Sequence, residues 1–265
     1  MTKIPFTKLH GAENDFLLTW AEAAPREHLA ETARRICARN TGVGGDGWML
    51  VGREGEALRT RLFNSDGSEA EISGNGTRCA AAFALLKDVS AGPDITIITA
   101  AGAKHLRLMS RQGNAFRFEM DMGEPHLEEL HASMQLAGRT FDATILNVGN
   151  PQCAIFVDSL PEDWRTAAQE AERHPRFPKR SNISFVTVVN RHTIRAVFFE
   201  RGAGETRSSG TGSTGAAAAA ILRCVADSPV EIQTPAGQLL LRWDSGVFLT
   251  GPAELVAEGD FFVEY

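Results

Sequence analysis

Of the four cysteines in 265 residues, none stands in a C-x-x-C pair. Cys37, Cys79, Cys153 and Cys224 lie far apart, which excludes a zinc ribbon or a dense disulfide framework and suits a reduced, cytoplasmic protein without a metal site. Basic clusters are missing too. There are 27 Lys and Arg against 33 Asp and Glu, a net charge of −6, and no run of cations that could form a nucleic-acid footprint. Nor is there a long apolar run: Gly215 to Leu222 is the longest, too short and too rich in alanine to span a bilayer. Met1-Thr2-Lys3 leads directly into a strand-like segment, so neither a signal peptide nor a membrane span is expected. No segment is of low complexity. What remains is 43% apolar, 23% charged and 8% aromatic, the composition of a globular chain. Its length accommodates one large domain or two medium ones.

The chain repeats itself once. Ser73-Gly-Asn-Gly-Thr-Arg-Cys-Ala-Ala-Ala-Phe-Ala-Leu-Leu86 aligns with Ser209-Gly-Thr-Gly-Ser-Thr-Gly-Ala-Ala-Ala-Ala-Ala-Ile-Leu222, with eight of fourteen positions identical at an offset of 136. The same offset carries Asn14 onto Asn150, Asp46 onto Asn182, Phe63-Asn64 onto Phe199-Glu200 and Glu69 onto Glu205. Alanine-rich helices match by chance, but an offset held without a gap from Asn14 to Leu86 marks two tandem copies of one α/β unit.

The pattern of apolar residues predicts strands over Lys8–Trp20, Gly47–Gly52 and Leu58–Phe63, with a helix over Pro25–Asn40 whose apolar face is Ala30, Ala33, Ile36 and Cys37. A helix over Gly76–Leu86 and strands over Ile95–Thr99, Lys104–Ser110 and Ala115–Met120 complete the first copy. The second copy repeats the order: a strand near Ala154, a helix over Pro161–His174, strands over Ser184–Val189 and Thr193–Glu200, and a helix from Gly212. The polar segment Asp121–Gln135 reads as the crossover between domains.

In each copy a Ser-Gly-x-Gly element opens a nearly all-alanine helix. Glycine lets backbone N–H groups approach a ligand closely, and a helix N-terminus offers unpaired donors at the positive end of its dipole. Such a place favours an anion, for example a carboxylate. Two of them facing one ligand would suit removal of a proton from one face of a carbon and its return to the other, which takes two acid/base groups and donors for the developing negative charge. Ser73 and Ser209 stand at those two mouths. A dinucleotide site is disfavoured. Gly42-Val-Gly-Gly-Asp-Gly47 follows a helix, and Gly210-Thr-Gly-Ser-Thr-Gly215 lacks a surrounding amino-terminal βαβ unit.

The segments His10-Gly-Ala-Glu-Asn-Asp-Phe16, Asn64-Ser-Asp-Gly-Ser-Glu69, Ser73-Gly-Asn-Gly-Thr-Arg-Cys79, Gly149-Asn-Pro-Gln-Cys153 and Glu200-Arg-Gly-Ala-Gly-Glu-Thr206, followed by Ser209-Gly-Thr-Gly212, resemble the diaminopimelate epimerase family, in order and over nearly the whole chain. The resemblance implies an α/β (α+β) fold of two pseudo-symmetric domains, each a curved mixed sheet wrapped around a central helix. Residues 1–115 with 255–265 would form the first domain and 116–254 the second. It implies a cofactor-independent amino-acid isomerase with a small-molecule substrate between the domains and no pyridoxal phosphate; a homodimer is one assembly the sequence leaves open. By that resemblance Asn14, Gly74, Asn75, Gly76, Gly210 and Thr211 would hold the groups at the reacting carbon. Asn64, Asn150, Asn182, Glu200 and Arg201 would grip the rest of the substrate.

The family's two acid/base cysteines correspond to Ser73 and Ser209, and its histidine in Gly-Asn-Pro-His-Cys to Gln152, here an auxiliary candidate. Cys79 and Cys153 are read as buried small apolar residues. A hydroxyl is a far weaker base than a thiol of pKa about 8.5, so three readings stand. The first is an epimerase with serines in place of the thiols. The second is a divergent isomerase that uses a carboxylate without inversion, with Asp66, Glu69, Glu200 and Glu205 as candidates and Glu200 favoured. The third is a binding protein that keeps the amino-acid pocket without turnover.

Overall fold

The structure is a computed structural model and describes residues 1–90 and 92–264; Tyr265, expected to end the first domain, lies outside the described residues. The chain divides into two compact units, Met1–Met120 with the segment from Gly251 onward, and Asp121–Thr250. The first contains β1 (Thr2–Gly11), β2 (Asn14–Trp20), α1 (Leu29–Cys37), β3 (Gly47–Glu54), β4 (Ala57–Asn64), β5 (Glu69–Ala70), α2 (Gly74–Leu86), β6 (Asp94–Thr99), β7 (Gly102–Gln112) and β8 (Ala115–Asp121). The second contains β9 (His126–Leu136), β10 (Arg139–Asn147), β11 (Pro151–Phe156), α3 (Trp164–Glu172), β12 (Asn182–Asn190), β13 (Thr193–Glu200), β14 (Gly204–Thr206), α4 (Gly210–Leu222), β15 (Val230–Thr234) and β16 (Gly237–Trp243). The last strand, β17 (Val247–Val263), starts in the second unit and ends in the first. The expected boundaries, 115/116 and 254/255, fall inside β8 and β17.

Each unit builds the same mixed sheet. In the first, β2 lies parallel to β3, β3 antiparallel to β4, β4 parallel to β6 and β6 antiparallel to β7. In the second, β11, β12, β13, β15 and β16 repeat that sequence of parallel and antiparallel pairs. The central helices explain their own composition. Residues Asn75–Ala84 of α2 are all buried, and the helix touches β1, β2, β4, β6 and β7. Ala216 to Ala220 of α4 have no exposed surface, and that helix touches β10 to β13, β15 and β16. A helix with strands on every side has no polar face to present, and only small side chains let the sheet approach from all directions.

The sequence reading needs correction in three places. Lys8–Trp20 is a hairpin, not one strand: Ala12 and Glu13 take the left-handed turn positions at φ 51° and 62°. Neither is glycine, so composition did not mark the turn, whereas the corresponding turn in the second unit carries Gly149 at φ 93°. Helix α1 is shorter than Pro25–Asn40. Left-handed His28 (φ 60°) starts it late, and at its end a Cβ on Gly42 would lie 2.1 Å from the Arg35 carbonyl oxygen, so only glycine can make that turn. The expected crossover Asp121–Gln135 is mostly strand β9, paired antiparallel with β10. Its inward alternation begins only at Ala132, Met134 and Leu136, too late to outweigh the polar start. Among the described residues no helix is long and apolar enough to cross a membrane.

Candidate active site

In the first unit Ser73 caps α2. Its backbone is extended, and its Oγ accepts a hydrogen bond from the Gly76 N–H at 3.1 Å, leaving the Gly74 and Asn75 amides at the open end of the helix. A Cβ at position 76 would sit 2.9 Å from the Met49 methyl and 3.2 Å from the Ser73 Cβ, so a larger residue there makes the end of the Met49 side chain move. Asn75 is buried and donates from Nδ2 to Asn14 Oδ1 at 3.3 Å, and Asn14 donates to Asp46 at 2.7 Å. Arg39 bridges Asp15 and Asp46, and Lys8 also pairs with Asp15. Burial raises the Asp15 carboxyl, but hydrogen bonds from Arg39 and Lys8 outweigh it and hold the group below the usual carboxylate range. An open pocket of about 250 Å³ lined by Lys8, His10, Glu13, Asp15, Arg39 and Val256 flanks this corner. Asn64 is not drawn in. It is exposed and bonds Ser68 Oγ at 2.9 Å within its own turn.

In the second unit Ser209 caps α4 in the same way, its Oγ accepting from Gly212 N–H at 3.1 Å. Asn150 donates to Thr211 Oγ1 at 3.3 Å, the counterpart of Asn75–Asn14, and each pair is separated by 61 residues. Buried Gln152 donates to Asn150 Oδ1 at 2.6 Å and packs where a Cβ on Gly215 would lie, 2.9 Å from its Cγ. Asn182 donates to the Pro151 carbonyl and accepts from the Arg201 backbone N–H at 3.0 Å. The Arg201 guanidinium is turned to the Lys179 carbonyl instead. The two copies diverge at the serine. Ser209 donates to Glu200 Oε2 at 3.1 Å, and Glu200 Oε1 accepts from Thr206 at 2.7 Å. Burial pushes the Glu200 carboxyl above its usual value, while the bonds from Thr206 and Ser209 pull the other way without cancelling it. Among the described residues the Ser73 hydroxyl has only the Gly76 N–H.

The other carboxylate candidates are engaged elsewhere. Glu69 pairs with Arg61, Glu205 with Arg165, and Asp66 accepts from Ser68 in its own turn. Sequence reading passed over Thr206 and Arg78. Both stood inside segments that resemble the family, Glu200–Thr206 and Ser73–Cys79, but neither was given a role there.

Cys79 and Cys153 have no exposed surface, and burial raises both thiols to about 12. They are packing residues, inert at neutral pH. Cys224 is the one exposed cysteine. Alkylation of the native protein with iodoacetamide at pH 8 is therefore expected to label Cys224 alone, as read by mass spectrometry, and a Cys224→Ser variant to take up no label until it is unfolded.

Gly212→Ala tests the second cap. The new Cβ would lie 2.8 Å from the Phe198 ring and 3.0 Å from Ser209 Oγ, an overpacking expected to cost about 1–3 kcal/mol in denaturant unfolding.

A family profile described as diaminopimelate epimerase matches residues 6–128 and 144–256. The diaminopimelate epimerase of Moorella thermoacetica is 38% identical over 97% of this chain and 98% of its own. That of Pseudomonas syringae pv. tomato is 37% identical over 96% and 97%. Among solved structures, a Bacillus anthracis phenazine biosynthesis protein of the PhzF family superposes with a TM-score of 0.77 at 15% identity, over 99% of this chain and all of the other. A hydroxyproline epimerase from Agrobacterium vitis with bound trans-4-hydroxy-L-proline gives 0.74 at 14% identity, over 98% and 92%. These two share the fold. With end-to-end identity above one third to relatives that carry the name, and the profile matched in both halves, the chain belongs to the diaminopimelate epimerase family.

Proposed function

We propose that the protein is a cofactor-independent amino-acid isomerase that removes and returns the α-proton of a diaminopimelate-type substrate, with Ser73 and Ser209 at the two acid/base positions. One observation carries the reading: each unit pairs a serine-capped helix start with an amide side chain brought in from 61 residues earlier, Asn14 to Asn75 and Asn150 to Thr211. Free N–H groups in the first turn of a helix, backed by oriented amides, suit a substrate carboxylate and the negative charge that builds on it as the α-proton leaves. Glu200 suits an ammonium group or the departing proton.

A second reading, an isomerase with one carboxylate base and no inversion, is favoured by the inequality of the serines. Ser209 has Glu200 as a partner, and Ser73 has no ionisable one among the described residues. A carboxyl raised by burial is better matched to proton abstraction near neutral pH than a hydroxyl is. Incubation of LL-diaminopimelate with the protein, followed by chiral chromatography, tests the first reading. The meso isomer should accumulate. If the substrate α-proton exchanges with solvent while the LL isomer persists, the single-carboxylate reading replaces it. If the compound binds without either event, the protein is a binding homologue.

A further inference from the structure

We propose that Arg78 is a positioning residue, which holds Asn75 and Asn14 as amide N–H donors for a carboxylate ligand at the start of α2. The ligand's identity rests on the isomerase reading; the positioning does not. Arg78 lies one turn into α2 with no exposed surface. Its Nε donates to the Pro252 carbonyl at 3.0 Å and its Nη2 to Asn75 Oδ1 at 2.5 Å. Its Nη1 is buried without a partner, and among the described residues no carboxylate pairs with it. Burial lowers the guanidinium to about 10, so it remains charged at neutral pH. Burying an unpaired charge is costly. Packing does not require an arginine here, because Thr214 fills the corresponding place in the second unit and bonds its own helix, to Gly210 O at 2.9 Å.

The chemistry of the chain of bonds dictates its direction. A guanidinium can only donate, so Asn75 must offer it Oδ1 and turn Nδ2 outward. That Nδ2 meets Asn14 Oδ1. Asn14 must then present its own Nδ2, which an acceptor-only carboxylate, Asp46, receives at 2.7 Å. Asp46 is itself held by Arg39 at 2.8 Å. A donor at one end and an acceptor at the other leave both carbonyl oxygens engaged and one N–H on each amide to spare, a polarity suited to a carboxylate. The second unit lacks both charged anchors: Thr214 stands for Arg78, and Asn182 for Asp46. There the direction depends on Gln152, an amide that can turn over, and whose Oε1 is buried without a partner.

The test uses hydrogen exchange of the Asn75 and Asn14 side-chain amides by NMR in the intact chain, alongside titration with meso-diaminopimelate. Arg78→Gln can accept as well as donate. It should speed exchange of both amides at least about tenfold and weaken meso-diaminopimelate binding by about tenfold or more, as expected for a lost bond to a charged group. Arg78→Lys, which only donates, should keep the exchange rates within about threefold of the parent. Asp46→Asn, at an exposed position, reads the chain from its other end and should loosen Asn14 even if Arg78→Gln does not fold. Unchanged exchange in Asp46→Asn and Arg78→Gln, or an Arg78→Lys as impaired as Arg78→Gln, would overturn the proposal. A parent protein that ignores meso-diaminopimelate while its amides respond as described would sink the isomerase reading and leave the positioning role standing.

Discussion

Changing Ser73 and Ser209 together to cysteine is expected to raise the rate of α-proton exchange on diaminopimelate on the order of 10⁴-fold. A thiol titrates near 8.5, and a hydroxyl that gives up its proton roughly four units higher is present as the ionised base on the order of 10⁴-fold less, about 5 kcal/mol of barrier if fully expressed. Both serines already sit at the open ends of buried helices, with Oγ 3.1 Å from the N–H of the residue three positions on. A sulfur there would feel the same positive helix end, which favours a thiolate. Stability should move the other way. Sulfur caps a helix less well than oxygen, so each replacement is expected to cost about 1 kcal/mol. A variant that is faster yet melts earlier separates proton chemistry from general improvement of the fold. A double variant that folds and binds but gains no rate would mean that the surroundings of the reacting carbon have diverged along with the serines.

Glu200→Gln is expected to lower α-proton exchange by on the order of 10²–10⁴, the usual contribution of a positioned base. It keeps the size of the side chain and an acceptor for Ser209 or Thr206. The parent's rate should rise with pH as the Glu200 carboxyl ionises, with a midpoint above the ordinary 4.5 because burial lifts it. The variant should lack that limb. Stability gives an independent reading with a definite sign. A carboxyl raised in the folded state holds its proton more tightly there than in the unfolded chain. Its contribution is therefore fully present at low pH and lost as pH rises through the folded value. Thermal melts should show Glu200→Gln gaining on the parent from pH 4 toward pH 7, and no such gain would mean that Glu200 is not strained by burial.

Much of the architecture could be read from residue order because it is written twice. The Ser-Gly-x-Gly starts and the alanine runs carry their own physical reason: a cap needs a side-chain oxygen, and a helix enclosed by strands needs small residues. Where local signals were weak or misleading, the reading failed. Ala12 and Glu13 make a left-handed turn without glycine, so the β1–β2 hairpin looked like one strand. The polar start of β9 hid a strand that is stabilised by its pairing with β10 rather than by its own pattern. The same limit applies to the site. Glu200 and Ser209 are nine residues apart and could be suspected. The Arg78–Asn75–Asn14–Asp46 chain joins three separate segments, and its direction comes from which groups can only donate and which can only accept, a property no single segment displays.

The most direct measurement is the proton NMR spectrum of diaminopimelate incubated with the unmodified protein in deuterated buffer. Isomerase chemistry at Ser73 and Ser209 requires the α-proton signal to fade at a rate proportional to protein concentration, and to fade on the order of 10²–10⁴-fold more slowly when Glu200→Gln is used instead. A ligand that binds saturably while its α-proton stays in place indefinitely would contradict it.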